Sequence, residues 1–104
     1  MIVDHRTYTL YPGKTKAFVE IYGAQGWPLQ RQYLGDCVGW YVSTDIGQLN
    51  QVVHLWRFAD LNDRAERRAR MLADARWPAY AEAATPLIQH QENKILNAAP
   101  FYAG

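Results

Sequence analysis

The sequence predicts an α+β domain in which a four-stranded antiparallel sheet carries helices on one face, in the order β-α-β-β-α-β. Three observations lead there. Four segments have the Val, Ile, Thr and aromatic content of strands. Two others repeat apolar residues at helical spacing. Turn signals at Pro12-Gly13, Gly35-Asp36 and Asp45-Ile46-Gly47 separate them. This order is the split βαβ, or ferredoxin-like, pattern.

The first strand is predicted over Ile2 to Leu10, ended by the Pro12-Gly13 turn. From Lys14 to about Gln25, Ala17, Phe18, Ile21 and Ala24 fall at helical spacing, with Tyr22 beside the stripe. Gly23 and Gly26 weaken the end of that helix, and Pro28 suits the start of a short restarted turn through Tyr33. Cys37 to Thr44 and Gln51 to Phe58 form a hairpin across a short connection. Asp63 and Glu66 have capping-box spacing, so the next helix is expected to begin at about Asp63. Its packing stripe reads Ala65, Ala69, Leu72 and Ala73, with Arg64, Arg67, Arg68 and Arg70 as a solvated rim. Pro78 restarts the helix near Arg76, where Trp77, Tyr80, Ala81 and Ala84 supply apolar contacts, and Leu87 to about Leu96 is the fourth strand.

Composition excludes several function classes. At 104 residues, 49% hydrophobic and 20% charged, residues 1–104 read as one globular domain. A formal net charge of +1 gives no electrostatic case for nucleic acid or an anionic membrane as partner. No apolar run approaches the roughly 20 residues of a membrane span. The single cysteine, Cys37, cannot form an internal disulfide and points to a reducing, cytoplasmic setting. Cys37 itself reads as a small buried hydrophobe. The N-terminus reads as a strand rather than a signal peptide. Without a glycine-rich phosphate loop, no nucleotide chemistry and no cofactor is expected.

Four Trp, seven Tyr and three Phe are more aromatic surface than one small core absorbs. Strand two reads Val38, Trp40 and Val42 on one face against Cys37, Gly39 and Tyr41 on the other. Strand three sets Val52, Trp56 and Phe58 against Val53 and Leu55. Two apolar faces with helices on only one predict a homodimer through the sheet.

The candidate site centres on Gly47 to Phe58. A strand period of two puts Asn50, Val52, His54, Trp56 and Phe58 on one face. His54 is the candidate catalytic acid or base, since imidazole titrates near neutrality and an adjacent aromatic plane can hold an apolar substrate. Its alternative is a core histidine satisfied by a neighbour. Arg6 and Tyr8 share a face of strand one, beside strand three, and would orient a carbonyl or carboxylate if that face also carries His54; the alternative for Arg6 is an ion pair with Asp4 or a partner chain. Trp40 and Trp56 are candidate walls, and Asn50 either shapes the strand entry or contacts ligand. The three histidines, His5, His54 and His90, fall on neighbouring strands, but no His-x-His or Glu-x-x-His pair anchors a site, so no metal is expected.

The segments RTYTLYPGK (6–14), GQLNQVVHLWRF (47–58) and QENKILNAAPFY (91–102) together resemble the NIPSNAP family, through the strand-turn of the first, Leu-Asn followed by His-x-Trp in the second, and Glu-Asn-x-Ile-Leu in the third. One departure stands at Asp74-Ala75, where the family often has proline after the aspartate. The resemblance implies a dimeric α+β barrel without an assigned activity. Related barrels include cofactor-independent monooxygenases, haem-degrading enzymes and small-molecule isomerases. Two functions are therefore expected to compete. One is a small enzyme acting on an apolar or aromatic metabolite, with His54 in proton transfer. The other is a noncatalytic binding or assembly module in which His54 is structural. A cavity lined by His54, Trp56 and Arg6 would favour the first, and a filled interior the second.

Overall fold

The structure is a computed structural model describing residues 1–102. Strands β1 (Ile2–Leu10), β2 (Asp36–Ser43), β3 (Gln51–Phe58) and β4 (Ile88–Asn97) form one antiparallel sheet in the order β2-β3-β1-β4. The helices are α1 (Thr15–Ile21), α2 (Trp27–Leu34), α3 (Leu61–Leu72) and α4 (Trp77–Ala84). Even-numbered residues of the central strands face them. Ile2, Asp4, Tyr8 and Leu10 of β1 and Val52, His54, Trp56 and Phe58 of β3 are all buried. This is the predicted ferredoxin-like α+β fold. Two apolar clusters form the core, one around Tyr8, Phe18, Tyr22, Val52 and Tyr80, the other around Ile2, Leu34, Trp56, Phe58 and Met71.

The sequence expectations fail locally in four places. First, the helix does not stop at the glycines. A π-helical turn, Tyr22–Gly26, carries α1 directly into α2. Gly26 is needed because a Cβ there would lie 2.7 Å from the Tyr80 ring and 2.8 Å from the Tyr22 ring. Second, β2 bulges between Cys37 and Gly39, so Cys37 pairs with Trp56 and Trp40 with His54 on the helix side. Val38 accordingly joins Val3, Leu55 and Leu96 on the outer face, not Trp40.

Third, α3 starts earlier than expected. Asp60 is its N-cap and accepts from the Asp63 amide at 2.8 Å, while Asp63 accepts in return from the Ala59 amide at 3.0 Å. Fourth, the expected stripe of α3 is inverted. Ala65, Ala69, Leu72 and Ala73 are exposed, whereas Arg64, Arg67, Arg68 and Met71 turn inward. Their acceptors explain Arg64 and Arg67: Arg64 Nε reaches the buried Asp4 at 2.9 Å, and Arg67 reaches the half-buried Asp63 and the Tyr33 carbonyl at 2.8 and 3.2 Å. Their aliphatic stems serve as the packing surface. The turn at Asp74 is held by that residue, which accepts from the Arg76 amide at 2.8 Å and the Tyr33 hydroxyl at 2.7 Å.

Candidate functional site

His54 lies at the middle of β3 with no exposed surface, between the two core clusters. Pairing sets Arg6 on one side of it and Trp40 on the other, both on the helix face of the sheet. Because His54 and Trp56 are two residues apart on a strand, their side chains stand side by side. The rings meet edge-on at 89°, and the Trp56 indole Nε1 donates to His54 Nδ1 at 2.7 Å. A nitrogen that accepts carries no proton, so the neutral imidazole holds its hydrogen on Nε2.

That Nε2–H is buried without a hydrogen-bond partner among the described residues. The same is true of the Trp40 indole Nε1. Their rings stack at 5.6 Å and 27°. Tyr8 and Tyr22 complete the surround, with ring centres 5.0 and 5.8 Å from His54, and the Tyr22 ring lies 4.7 Å from that of Trp40. The Tyr22 hydroxyl is near enough to Trp40 to feel its indole N–H, yet it donates to Gln30 Oε1 and meets the indole outside hydrogen-bond geometry. The π-helical turn begins at Tyr22, so the local widening of the helix falls beside the two unpartnered donors.

Electrostatics keep the centre neutral. Burial, followed by the Arg6 charge, pushes the His54 pKa down to about 3. Burial likewise pushes the Tyr22 and Tyr80 hydroxyls up. Next to this aromatic box lies a charged one. Arg6 donates through Nε to the Tyr8 hydroxyl at 3.1 Å and through a terminal nitrogen to Asp4 at 3.1 Å. Asp4 is buried; burial pushes its carboxyl up, but the Arg64 and Arg6 guanidinium groups outweigh that and hold it below the ordinary range.

Of the residues singled out in the sequence, His54, Trp56, Trp40, Tyr8 and Arg6 come together. Asn50 does not. It sits in the left-handed region at φ 59°, its carbonyl accepts from the Leu10 amide at 2.8 Å, and its side chain accepts from Thr15 at 3.1 Å. These bonds shape the strand entry, roughly 13 Å along the strand from His54. His5 and His90 pair with Leu55 and Thr9 on the outer face, so the sheet separates both from His54. Tyr22, Tyr80, Asp4 and Arg64 belong to the assembly without having been picked as site residues. The glycines at 23 and 26 were the available signal for the first two. The clefts on the outer sheet face, around Gly35 and Arg57, and beside α1 are not lined by His54, whose surroundings are filled by the rings just named, the arrangement that favours a noncatalytic module.

Comparison with known proteins fixes the family. The NIPSNAP family model matches residues 3–103. The chain belongs to the NIPSNAP family. It is similar to a crystallised NIPSNAP family protein of unknown function from Agrobacterium tumefaciens, 41% identical with a TM-score of 0.92, over 99% of this chain and 92% of that one. It is 33% identical to NipSnap homolog 2 of Danio rerio over 91% of this chain but 32% of that protein. The chain thus spans about a third of that relative's length. A putative antibiotic biosynthesis monooxygenase from Nitrosomonas europaea, 14% identical with a TM-score of 0.65, shares the fold. No helix among the described residues is long and apolar enough to cross a membrane.

Proposed function

We propose that this NIPSNAP domain forms a cytoplasmic homodimer that binds a small apolar or aromatic molecule carrying a hydrogen-bond acceptor between its sheet and helices. The carrying observation is the pair of buried, unpartnered donors, His54 Nε2–H and Trp40 Nε1–H, side by side in an aromatic surround. A buried donor without a partner costs about 1 to 3 kcal/mol. A ligand bringing carbonyl or oxyanion acceptors to this ring stack would satisfy them. Trp40 is half-buried on the edge strand β2, so a ligand would reach the packed interior past its side chain.

In this reading His54 donates a hydrogen bond and does not accept a proton. An imidazole held at about 3 is a poor base near neutrality, and its other nitrogen is occupied by Trp56. The enzyme reading, with His54 in proton transfer as in a monooxygenase-like or isomerase-like barrel, therefore ranks second. It requires a ligand that raises that pKa by several units.

The dimer is supported by the outer face of the sheet, which no helix covers. Val3, Val38, Leu55, Leu96 and Tyr102 surround a concavity of about 470 Å³ there. Arg57 lines the same concavity with a buried Nε that has no partner among the described residues, a donor that a second copy can satisfy. Native mass spectrometry of the purified protein tests both parts together. The expected spectrum is twice the chain mass with a bound small molecule that His54→Phe loses. A bare monomer would remove the proposal.

A further inference from the structure

The anomaly of α3 carries the inference. An amphipathic helix buries its apolar face, yet this one exposes Leu61 and Leu72 and turns Arg64 and Arg68 toward the sheet. Four residues apart, Arg64 and Arg68 lie on one helix face, where like charges repel. Below them Arg6 rises from β1, its side chain 12% exposed. Two guanidinium groups thus converge on one carboxylate, Asp4, whose Oδ2 accepts from Arg6 at 3.1 Å and from Arg64 at 2.9 Å, and Arg68 stands one turn along the same helix face. Asp4 also meets the Asn93 amide nitrogen at 3.4 Å.

The donors exceed the acceptors. Arg6 uses Nε on Tyr8 and one terminal nitrogen on Asp4, and Arg64 uses only Nε. Arg68, half-buried, has no acceptor among the described residues. Burial, then the charges of Arg6 and Arg64, push its pKa down, the mark of a cation among cations. On the far side, Asn93 and Gln91 of β4 face the helix side of the sheet through their pairing with Arg6 and Tyr8, yet both are exposed. The cluster therefore opens to solvent between α3 and β4. Tyr8 joins it to the aromatic box: its hydroxyl accepts from Arg6 and its ring touches His54 edge-on.

We infer that Arg6, Arg64 and Arg68 form an anion site for the acidic head of the ligand, a carboxylate or phosphate oxyanion whose apolar or aromatic body lies toward Tyr8 and His54. This rests on the proposed ligand site and narrows its ligand to an organic anion. Guanidinium forks match the oxygens of either group, and two uncompensated positive charges beside a half-buried face favour an anion over a neutral molecule.

The test compares binding of benzoate, phenyl phosphate and neutral benzamide by isothermal calorimetry at fixed ionic strength. The proteins are the wild type, Arg68→Gln, and Arg70→Gln as a charge-matched control on the exposed side of α3. Wild type and Arg70→Gln should bind at least one of the two anions about 10-fold more tightly than benzamide, as expected for one added charge-assisted hydrogen bond. The tighter of benzoate and phenyl phosphate identifies the head group. Arg68→Gln should lose that preference, keep benzamide binding, and melt higher than wild type without ligand because it relieves like-charge repulsion. Anions that bind no better than benzamide, or equally well to wild type and Arg68→Gln, overturn the anion site and leave the His54 reading in place. Failure of all three probes overturns both.

Discussion

At the scale of single residues, His54 sets the pH behaviour. Folded, it titrates near 3; unfolded, near its ordinary 6.5. Between those values the unfolded chain holds one more proton. Stability from this group is therefore complete above about pH 6.5 and falls as pH drops toward 3, by about 1.4 kcal/mol per unit. Asp4, Asp63 and Asp74, also low in the folded state, act in the same sense as pH falls toward their ordinary 3.8, so roughly pH 5 to 6.5 isolates the histidine. Urea unfolding across that range should show the slope in wild type and its loss in His54→Phe; equal slopes would mean that another group titrates. Trp56→Phe removes the donor to Nδ1 and should raise the His54 pKa, read from imidazole chemical shifts. The face on which His54 lies was legible because a strand has a period of two. Its protonation state was not, because that depends on Trp56 pointing its N–H sideways, a rotamer that no spacing encodes.

Among the elements, α3 and the π-helical turn carry the sharpest expectations. Asp60→Ala should cost about 1 kcal/mol by equilibrium unfolding, since it removes the side-chain acceptor at the N-cap. A silent Asp60→Ala with a costly Asp63→Ala would move the helix start back to the position read from the sequence. That reading found the capping-box chemistry but chose the wrong aspartate, because Asp60 and Asp63 are both good caps and the spacing fits either frame. Gly26→Ala should cost about 1 to 3 kcal/mol, because its Cβ would enter the Tyr80 and Tyr22 rings. The same substitution should shift the indole N–H resonance of Trp40, which packs on Tyr22. Hydrophobic patterning misjudged α3 for a physical reason. The rule assumes that charge faces water, and here a buried carboxylate and an inward cluster of arginines reverse it. Such reversals are expected at functional sites.

For the molecule as a whole, the fold was legible because element order and antiparallel pairing follow from local chemistry. The outer sheet face was read less exactly, since the β2 bulge moves Val38 across the sheet, and Gly39 beside it was the signal that could have announced it. The proposed dimer should sediment at twice the chain mass at micromolar concentration. Leu55→Glu, central to the outer face, should yield a monomer while leaving the His54 imidazole resonances in place. A monomeric wild type would leave the outer apolar face unexplained.

The central claim is that His54 Nε2–H and Trp40 Nε1–H are donors awaiting an acceptor, and ¹H–¹⁵N spectra of imidazole and indole groups test it most directly. At pH 7 His54 should be neutral with its proton on Nε2. Benzamide should shift the His54 Nε2–H and Trp40 Nε1–H signals together and saturably, while the Trp56 indole, already bonded to Nδ1, moves little. A His54 protonated on Nδ1, or two signals that stay fixed while benzamide binds elsewhere, would contradict the account.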